Sequence, residues 1–389
     1  MANFVKLGLS ICFSWMLLSS SSVSMALDDC HFPAIFNFGD SNSDTGGLAA
    51  AFPHAVSPPY GETFFHDTVG RYSDGRVILD FIANSFDLPF LGAYLDSLGN
   101  NFKHGANFAT SASTIRLPKI VLPDNGGYSP FFLDFQTGHF QILKATSETQ
   151  KHGVGTVNSD SIPDMNSYSK ALYTFDIGQN DLSQGLWGLN GNLTIDEVKN
   201  TTIPDMIDGF VYNFKNIYYS SGGKAFWIHN TGPIGCLPYC LIRFPSAEKD
   251  KAGCAKDYNE VAQYYNSKLK EAVVQLRKDL PLAAITYVDV YSAKYALFAE
   301  PEKYGLEKPL IACCGYGGDY NYNMDRGCGG MIDVNGSQIL VGSCQKPWLR
   351  VNWDGIHYTE AANKVVFDKI SSGAYSDPPI PLKHACHRV

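Results

Sequence analysis

The sequence predicts an α/β protein, a three-layer α/β/α sandwich around a central, mostly parallel sheet of five strands. Two observations support this prediction. Short apolar runs alternate along the chain with longer stretches in which apolar residues recur at helical spacing. Several of these runs also end directly in a turn of small polar residues. Strands that alternate with helices pair in parallel through right-handed crossovers, so helices cover both faces of the sheet.

The short apolar runs are the predicted strands. They cover residues 34–38, 101–110, 171–177, 224–229 and 283–290. The first run meets the turn Gly-Asp-Ser at residues 39–41, and the third meets Gly-Gln-Asn-Asp at residues 178–181. In a parallel sheet the ligand site lies at the carboxyl ends of the strands. We therefore expect Ser41 and Asn180 to lie at the same edge of the sheet.

Helices are predicted between the strands. In the first of them Val77, Ile78 and Phe81 recur at helical spacing, which is typical of an amphipathic helix packed on a sheet. The predicted helices cover residues 75–88, 131–144, 194–219, 247–280 and 358–370. Pro and Gly punctuate residues 115–130, which predicts a long loop, and the polar residues 151–169 predict an exposed connection.

Length and composition favour one domain. With 389 residues, 45% of them hydrophobic, the chain can bury a large core, and no repeat or long linker divides it. Residues 1–26 contain one basic residue, Lys6, then an apolar run and small residues, the pattern of a cleaved secretory signal. We therefore expect a signal peptide at 1–26 and a single domain at 27–389, exported to the extracellular space, the cell wall or the vacuole.

The charge balance restricts the partners. The formal net charge is −8 and the sequence has no basic run, which argues against nucleic acid and against docking on anionic lipid. After residue 26 no stretch is long and apolar enough to span a membrane. Small neutral or weakly charged molecules therefore remain as candidate substrates. The sequence implies neither a cofactor nor an obligate protein partner.

Cysteine usage indicates disulfides. One of the ten cysteines, Cys12, lies in the predicted signal, so an odd number remains and at least one thiol is unpaired or pairs outside the chain. The spacing of Cys313, Cys314 and Cys328 lacks the two C-x-x-C halves of a structural zinc site. Residues 313–344 are instead predicted to form an irregular, disulfide-stapled insertion.

Three sequons fit a secretory route. They place candidate glycosylation sites at Asn192, Asn200 and Asn335. Such triplets also occur by chance in many proteins. Glycosylation of these asparagines therefore depends on export of the chain.

The residue types needed for acyl transfer occur together. A serine becomes a nucleophile when a base lies within hydrogen-bond reach and a third group orients that base. Asp354 and His357 are spaced so that a carboxylate can hold one ring nitrogen and leave the other free to take a proton. Each of these residues alone is common in ordinary turns. The sequence has neither Gly-x-Ser-x-Gly nor His-Glu-x-x-His, which argues against an ordinary α/β-hydrolase and a zinc protease.

These blocks resemble a known family. GDS at residues 39–41, GQND at 178–181 and DGIH at 354–357 are similar to the motifs of the plant GDSL esterases and lipases, within the flavodoxin-like SGNH hydrolases. The similarity extends over nearly the whole mature chain and is nearest to the nodulin-type and latex-allergen esterases. It implies that Ser41 is the nucleophile, His357 the base and Asp354 its orienting acid. It also implies that Asn180 and the Ser41 N–H belong to the oxyanion hole.

One position departs from the family pattern. A glycine is usual five residues after the asparagine of the Asn-Phe-Ala block, and here Ala112 occupies that place. A backbone N–H does not require glycine, so we expect Ala112 to supply the remaining oxyanion donor. Gly105, just upstream, is the alternative.

Three functions stay open at this stage. The first is a serine hydrolase that cleaves small or lipid-like O-acyl esters through an acyl-enzyme. The second is an acyltransferase, in which an alcohol instead of water resolves the same intermediate. The third is a non-catalytic secreted binding protein on the same fold. The sequence does not distinguish acetyl, fatty acyl and hydroxycinnamoyl esters.

Overall fold

The computed structural model of the protein describes residues 27–52, 55–98, 100–123, 127–151, 158–187 and 193–388. The predicted signal peptide, residues 1–26, lies outside the described residues. Within these ranges no helix is both long enough and apolar enough to cross a membrane.

The described residues form an α/β sandwich around a six-stranded sheet. The strands are β1 Ile35–Gly39, β2 Gly105–Asn107, β3 Leu172–Asp176, β4 Ala225–His229, β5 Ala284–Val288, β6 Met331–Val334, β7 Ser337–Leu340 and β8 Ser376–Asp377. The spatial order is β2-β1-β3-β4-β5-β8, parallel from β2 through β5, whereas β6 and β7 form a separate hairpin.

The predicted fold class is confirmed, but the predicted strand count is wrong. All five predicted strands are present, and β8 adds a sixth that pairs antiparallel with β5. This strand has two residues, Ser376 and Asp377, followed directly by Pro378. A polar pair before proline carries no strand signal in the sequence, since its pairing is set by the neighbouring edge of β5.

Helices occupy the segments between the strands. Their bounds are α1 Gly47–Ala51, α2 Ile78–Ser85, α3 Leu133–Lys151, α4 Met165–Lys170, α5 Gln179–Trp187, α6 Ile195–Glu197, α7 Ile203–Ser221, α8 Pro238–Arg243, α9 Lys256–Asp279, α10 Val290–Ala299 and α11 Glu360–Ser371. Each predicted helix corresponds to one or more of these helices. A π-helical segment, Val198–Thr202, joins α6 to α7.

The start of α9 and the presence of α4 both differ from the prediction. The helix predicted from residue 247 begins only at Lys256, because a disulfide from Cys236 to Cys254 closes the preceding segment into a loop. The segment 151–169, predicted as an irregular connection, contains the start of α4. Asp164 caps that helix by accepting hydrogen bonds from the N–H groups of Asn166 and Ser167.

Both faces of the sheet are buried, which explains why its strands are apolar runs. On one face Phe36 and Phe38 pack against Phe140 of α3, with ring centroids 5.2 and 5.8 Å apart. On the opposite face Ile35 and Trp227 belong to a second cluster that includes residues of α2, α10 and α11. A parallel strand covered on both sides needs apolar residues at successive positions.

Disulfides join distant parts of the chain. The described pairs are Cys30–Cys386, Cys236–Cys254, Cys313–Cys344 and Cys314–Cys328. Among the described cysteines Cys240 is the free one, and it is buried. The odd cysteine predicted from the sequence is therefore an interior thiol.

Two of these disulfides staple the insertion at residues 313–344, as predicted. The insertion is more regular than expected, because β6 and β7 form a hairpin closed by Asn335 and Gly336, both with positive φ. An Asn-Gly pair is a strong hairpin signal that could have been recognised in the sequence. The N–H groups of Cys313 and Cys314 donate to the carbonyls of Asn352 and Trp353, which binds the insertion to the segment before residues 354–357.

Thiol labelling tests the disulfide arrangement. Burial raises the pKa of Cys240 to about 12, so the thiol is neutral and shielded in the native state. For a chain that begins at Leu27, we expect iodoacetamide at about pH 8 to leave the native protein unlabelled and to add one label after denaturation without reductant. The reduced, denatured chain is the control, with every cysteine labelled. Two or more labels without reductant would contradict the pairing.

Candidate active site

The sequence-predicted residues of the first and third strands meet at one edge of the sheet. Ser41 lies two residues beyond the end of β1, and Asn180 lies in the first turn of α5, just after β3. Because β1 and β3 are parallel neighbours, their carboxyl ends are adjacent. The side chain of Ser41 is buried, at 4% exposure.

The turn that carries Ser41 is fixed by hydrogen bonds. The carbonyl of Asp40 accepts from the N–H groups of Ser43 and Asp44, at 3.1 and 2.9 Å. Gln136 of α3 binds both backbone groups of Gly39. Its Oε1 accepts from the Gly39 N–H at 2.9 Å, and its Nε2 donates to the Gly39 carbonyl at 2.8 Å. A Cβ at Gly39 would lie 2.3 Å from Ser43 Oγ and 2.6 Å from the Asp176 carbonyl. Only glycine fits where the strand ends.

Asp44 joins this turn to the loop that contains Ala112. Its buried carboxylate accepts hydrogen bonds from the N–H groups of Gly46, Gly47 and Ser111, at 2.8, 2.6 and 2.7 Å. Burial raises the pKa of Asp44 to about 6, although these hydrogen bonds lower it. Asp44 therefore links two segments of the site through its hydrogen bonds.

Asp181 holds the other end of the same loop. Its buried carboxylate accepts hydrogen bonds from the N–H groups of Ile115 and Arg116, at 2.8 and 3.2 Å. Burial raises the pKa of Asp181 to about 6. The last residue of the Gly-Gln-Asn-Asp block therefore fixes backbone on the segment that follows Ala112.

Asp354 and His357 are brought together as the sequence predicted. Asp354 Oδ2 lies 2.6 Å from His357 Nδ1, and its Oδ1 accepts from the His357 N–H at 2.8 Å. Burial raises the pKa of Asp354, but the charge of His357 and the hydrogen bonds lower it more, so the net shift is downward from 3.8. The opposite ring nitrogen, Nε2, is buried and has no hydrogen-bond partner among the described residues. It is available to accept a proton.

Shared neighbours connect the Ser41 side of the site with the His357 side. The ring of Tyr72 lies 5.2 Å from the His357 ring, and Tyr72 also interacts with Ser111 and, electrostatically, with Asp44. Ser111 in turn is held by Asp44, three residues beyond Ser41. The turns of the proposed nucleophile and base therefore belong to one buried contact network.

Three N–H donors are candidates for an oxyanion hole. Within the described ranges the backbone N–H groups of Ser41 and Ala112 donate to no protein acceptor. Asn180 Nδ2 donates to the Ser113 carbonyl at 2.9 Å, which orients its amide beside the same loop. Donors that are fixed before the reaction are the most effective at stabilising a developing negative charge.

The backbone conformation at position 112 accounts for the glycine that is usual there. Ala112 has φ 60°, in the left-handed region that favours glycine. Alanine in this conformation costs about 1 kcal/mol, which the surrounding hydrogen bonds must offset. The alternative donor, Gly105, already has a backbone acceptor. Its N–H donates to the Phe102 carbonyl at 2.9 Å, and it pairs with Ile35 at the opposite end of β1.

A family model described as GDSL-like lipase/acylhydrolase matches residues 35–370. The chain belongs to this family. The match spans β1, with the turn that follows it, through α11, so it includes every catalytic candidate named above.

Curated plant relatives of this GDSL hydrolase are similar over almost their whole length. An esterase from Hevea brasiliensis is 59% identical over 374 residues, 96% of this chain and 94% of its own. The GDSL esterase/lipase ENOD8 from Medicago truncatula is 57% identical over 364 residues, 93% of this chain and 92% of its own. A protein named alpha-L-fucosidase 3 from Arabidopsis thaliana is 50% identical over 383 residues, 98% of this chain and 99% of its own. The predicted plant GDSL family and nodulin-like subgroup are confirmed.

Sequence reasoning missed three residues of the GDSL site. Tyr60 donates from its hydroxyl to Asp354 Oδ2 at 2.7 Å, Asp181 binds the loop after Ala112, and Lys294 Nζ donates to Asn42 Oδ1 at 3.0 Å. Tyr60 and Lys294 lie hundreds of residues from their partners, so no local pattern marks them. Asp181 stands inside the Gly-Gln-Asn-Asp block, and that position is the signal that could have found it.

Two of the three glycosylation candidates lie among the described residues. Asn200 is exposed in the π-helical segment, and Asn335 is exposed at the tip of the β6–β7 hairpin. Asn192 lies outside the described residues. The two described asparagines are accessible to a glycan.

Replacing Tyr60 tests the support of Asp354. In Tyr60→Phe the carboxylate loses one hydrogen bond while the ring is kept, and we expect kcat/KM for an acyl ester to fall about tenfold. Tyr316→Phe, at a tyrosine that is 36% exposed, is the control and should match the parent. Equal activity of Tyr60→Phe and the control would show that this hydrogen bond has no role.

The pH dependence of stability tests the buried state of Asp44. Its folded-state pKa of about 6 lies above the ordinary 3.8, so the folded protein binds the proton more tightly. The resulting stabilisation is present at low pH and is lost as the pH rises from about 4 to about 6. We expect Asp44→Asn to flatten this part of the curve of unfolding free energy against pH, by up to about 1.4 kcal/mol per pH unit.

Chemical denaturation at a series of pH values measures this slope. Asp319→Asn, at an exposed carboxylate, is the control and should retain the parent slope. An unchanged slope in Asp44→Asn would contradict a raised pKa for Asp44.

Proposed function

We propose that this carboxylic ester hydrolase cleaves O-acyl esters with Ser41 as nucleophile, His357 as general base and Asp354 as the acid that orients it. The observation that carries the proposal is the Asp354–His357 pair. A 2.6 Å hydrogen bond fixes Nδ1, while the buried Nε2 has no partner among the described residues. Such a pair is poised to remove a proton from a serine hydroxyl.

In the proposed reaction Ser41 Oγ attacks the ester carbonyl as His357 Nε2 takes its proton. The N–H groups of Ser41 and Ala112 and the Asn180 amide stabilise the oxyanion. His357 then protonates the departing alcohol, which leaves an acyl-enzyme on Ser41. A water molecule, deprotonated by His357, then attacks the acyl-enzyme, and His357 returns the proton to Ser41 Oγ as the acid is released. Asp354 stays ionised throughout, because its pKa is held below the usual value.

The proposed setting is the secretory route. Residues 1–26 act as a removable signal, and residues 27–389 form a single hydrolase domain without a cofactor. The disulfides described above are in keeping with an oxidising compartment, and exposed Asn200 and Asn335 are suited to glycosylation. The proposed partner is a small or lipid-like acyl ester.

Acyl transfer is the second candidate function. Ser41 and His357 are 4% and 7% exposed, so the acyl-enzyme would be shielded from bulk water. Incubation with an acyl ester, with and without acceptor alcohols, followed by mass analysis of the products separates the two candidates. Hydrolysis predicts free acid under both conditions, and transfer predicts a new acylated alcohol.

Replacing the proposed nucleophile is the decisive test of the mechanism. We expect Ser41→Ala to lower kcat on a chromogenic acyl ester at least about 10³-fold, because it removes the hydroxyl that forms the proposed acyl-enzyme. A serine-directed phosphonate should label the parent at Ser41, as located by peptide mass. Ser246→Ala, at an exposed serine, is the control and should be fully active. Undiminished turnover by Ser41→Ala, or labelling elsewhere, would refute the mechanism.

A further inference from the structure

Lys294 is an unusual residue for the interior of the protein. It lies on α10 and is 2% exposed. Burial of an ammonium group is strongly unfavourable unless partners compensate it. Burial lowers the pKa of Lys294, while Asp176 and Asp40 raise it in part. A lysine kept in such a place requires an explanation beyond packing.

The contacts of Lys294 lie on both sides of the candidate active site. Its Nζ donates to Asn42 Oδ1 at 3.0 Å, and Asn42 is the residue after Ser41. The same Nζ lies 4.4 Å from the centroid of the Tyr358 ring, and Tyr358 is the residue after His357. One side chain therefore bridges the neighbours of the proposed nucleophile and base.

Two carboxyl groups interact with the same ammonium group. Asp40 and Asp176 interact with it electrostatically, and Asp176 Oδ2 lies 3.1 Å from His229 Nδ1. Burial raises the pKa of Asp176, but its hydrogen bond to His229, the His229 charge and Lys294 lower it more. Asp176, whose charged form His229 favours, therefore acts as an electrostatic partner of the ammonium group.

The space around Lys294 is tight. A Cβ built on Gly232 would lie 3.0 Å from Lys294 Cδ, 3.8 Å from its Nζ and 3.7 Å from the Tyr358 hydroxyl. The aliphatic part of the lysine therefore packs closely against backbone. It has little freedom to leave either contact.

We propose that Lys294 is a positioning residue for ester cleavage, holding the turn of Ser41, through Asn42, against the segment of His357, through the ring of Tyr358. It acts through these neighbours. This inference rests on the proposed function, because it assigns Lys294 to the alignment of that serine and histidine. A misalignment of about 1 Å between reacting groups is enough to lower a rate about 10²-fold.

The test uses variants that remove each contact. Lys294→Met keeps the length of the side chain and removes its charge, and we expect kcat on an acyl ester to fall about 30- to 100-fold with KM within about threefold. Tyr358→Leu removes the cation–π partner, and Tyr358→Phe keeps the ring. We expect the leucine variant to lose about tenfold more activity than the phenylalanine variant. Lys303→Met, at an exposed lysine that follows α10, is the control.

Phosphonate labelling separates alignment from loss of folded protein. If Lys294 aligns Ser41 with His357, the phosphonate labels Lys294→Met at Ser41 to nearly the full extent, but the labelling rate falls in proportion to kcat. A purely structural role would reduce the extent and leave the rate of the folded fraction unchanged, which would overturn the proposal. Unchanged kcat in Lys294→Met would overturn it as well.

The tyrosine pair keeps the proposal falsifiable if Lys294→Met does not fold, since equal activity of Tyr358→Leu and Tyr358→Phe contradicts the proposed bridge. Failure of the proposed function is a different result. In that case the parent protein itself neither turns over an acyl ester nor reacts with the phosphonate at Ser41.

Discussion

The candidate active site depends on buried carboxylates that bind backbone N–H groups across the sheet edge. Asp44 and Asp181 hold opposite ends of the loop that contains Ala112, one from the turn after β1 and the other from α5. This loop has no regular secondary structure to define its shape. The left-handed conformation of Ala112 persists because both ends of the loop are fixed. Rigid positioning of donors, rather than their number, is what oxyanion stabilisation requires.

Much of the fold was predictable because the sheet is covered on both faces. Each central strand then needs a run of apolar residues, and such runs are visible in a single sequence. The Asp354–His357 pair was predictable for a related reason: its two members are three residues apart, so local backbone geometry brings them together. Ser41 and Asn180 could be placed at one edge because parallel strands align their carboxyl ends.

The remaining features depend on contacts between distant parts of the chain. Tyr60 meets Asp354 across 294 positions, and Lys294 meets Asn42 across 252. Neither residue belongs to a local pattern, since only the folded chain brings the partners together. Strand β8 is defined by the neighbouring edge of β5 rather than by its own residues. The N–H of Gly105 is paired within the fold, and the closeness of this residue to the Asn-Phe-Ala block in sequence does not reveal that pairing.

The chain order of the site has a consequence for biosynthesis. The proposed nucleophile stands near the amino terminus, whereas the proposed base arrives only with the last part of the chain, and Cys30–Cys386 joins the two termini across 356 positions. A ribosome-bound precursor therefore has its serine for most of translation but no histidine to activate it. The proposed catalytic pair is therefore completed only after residue 357 has been synthesised, and the Cys30–Cys386 disulfide only after residue 386.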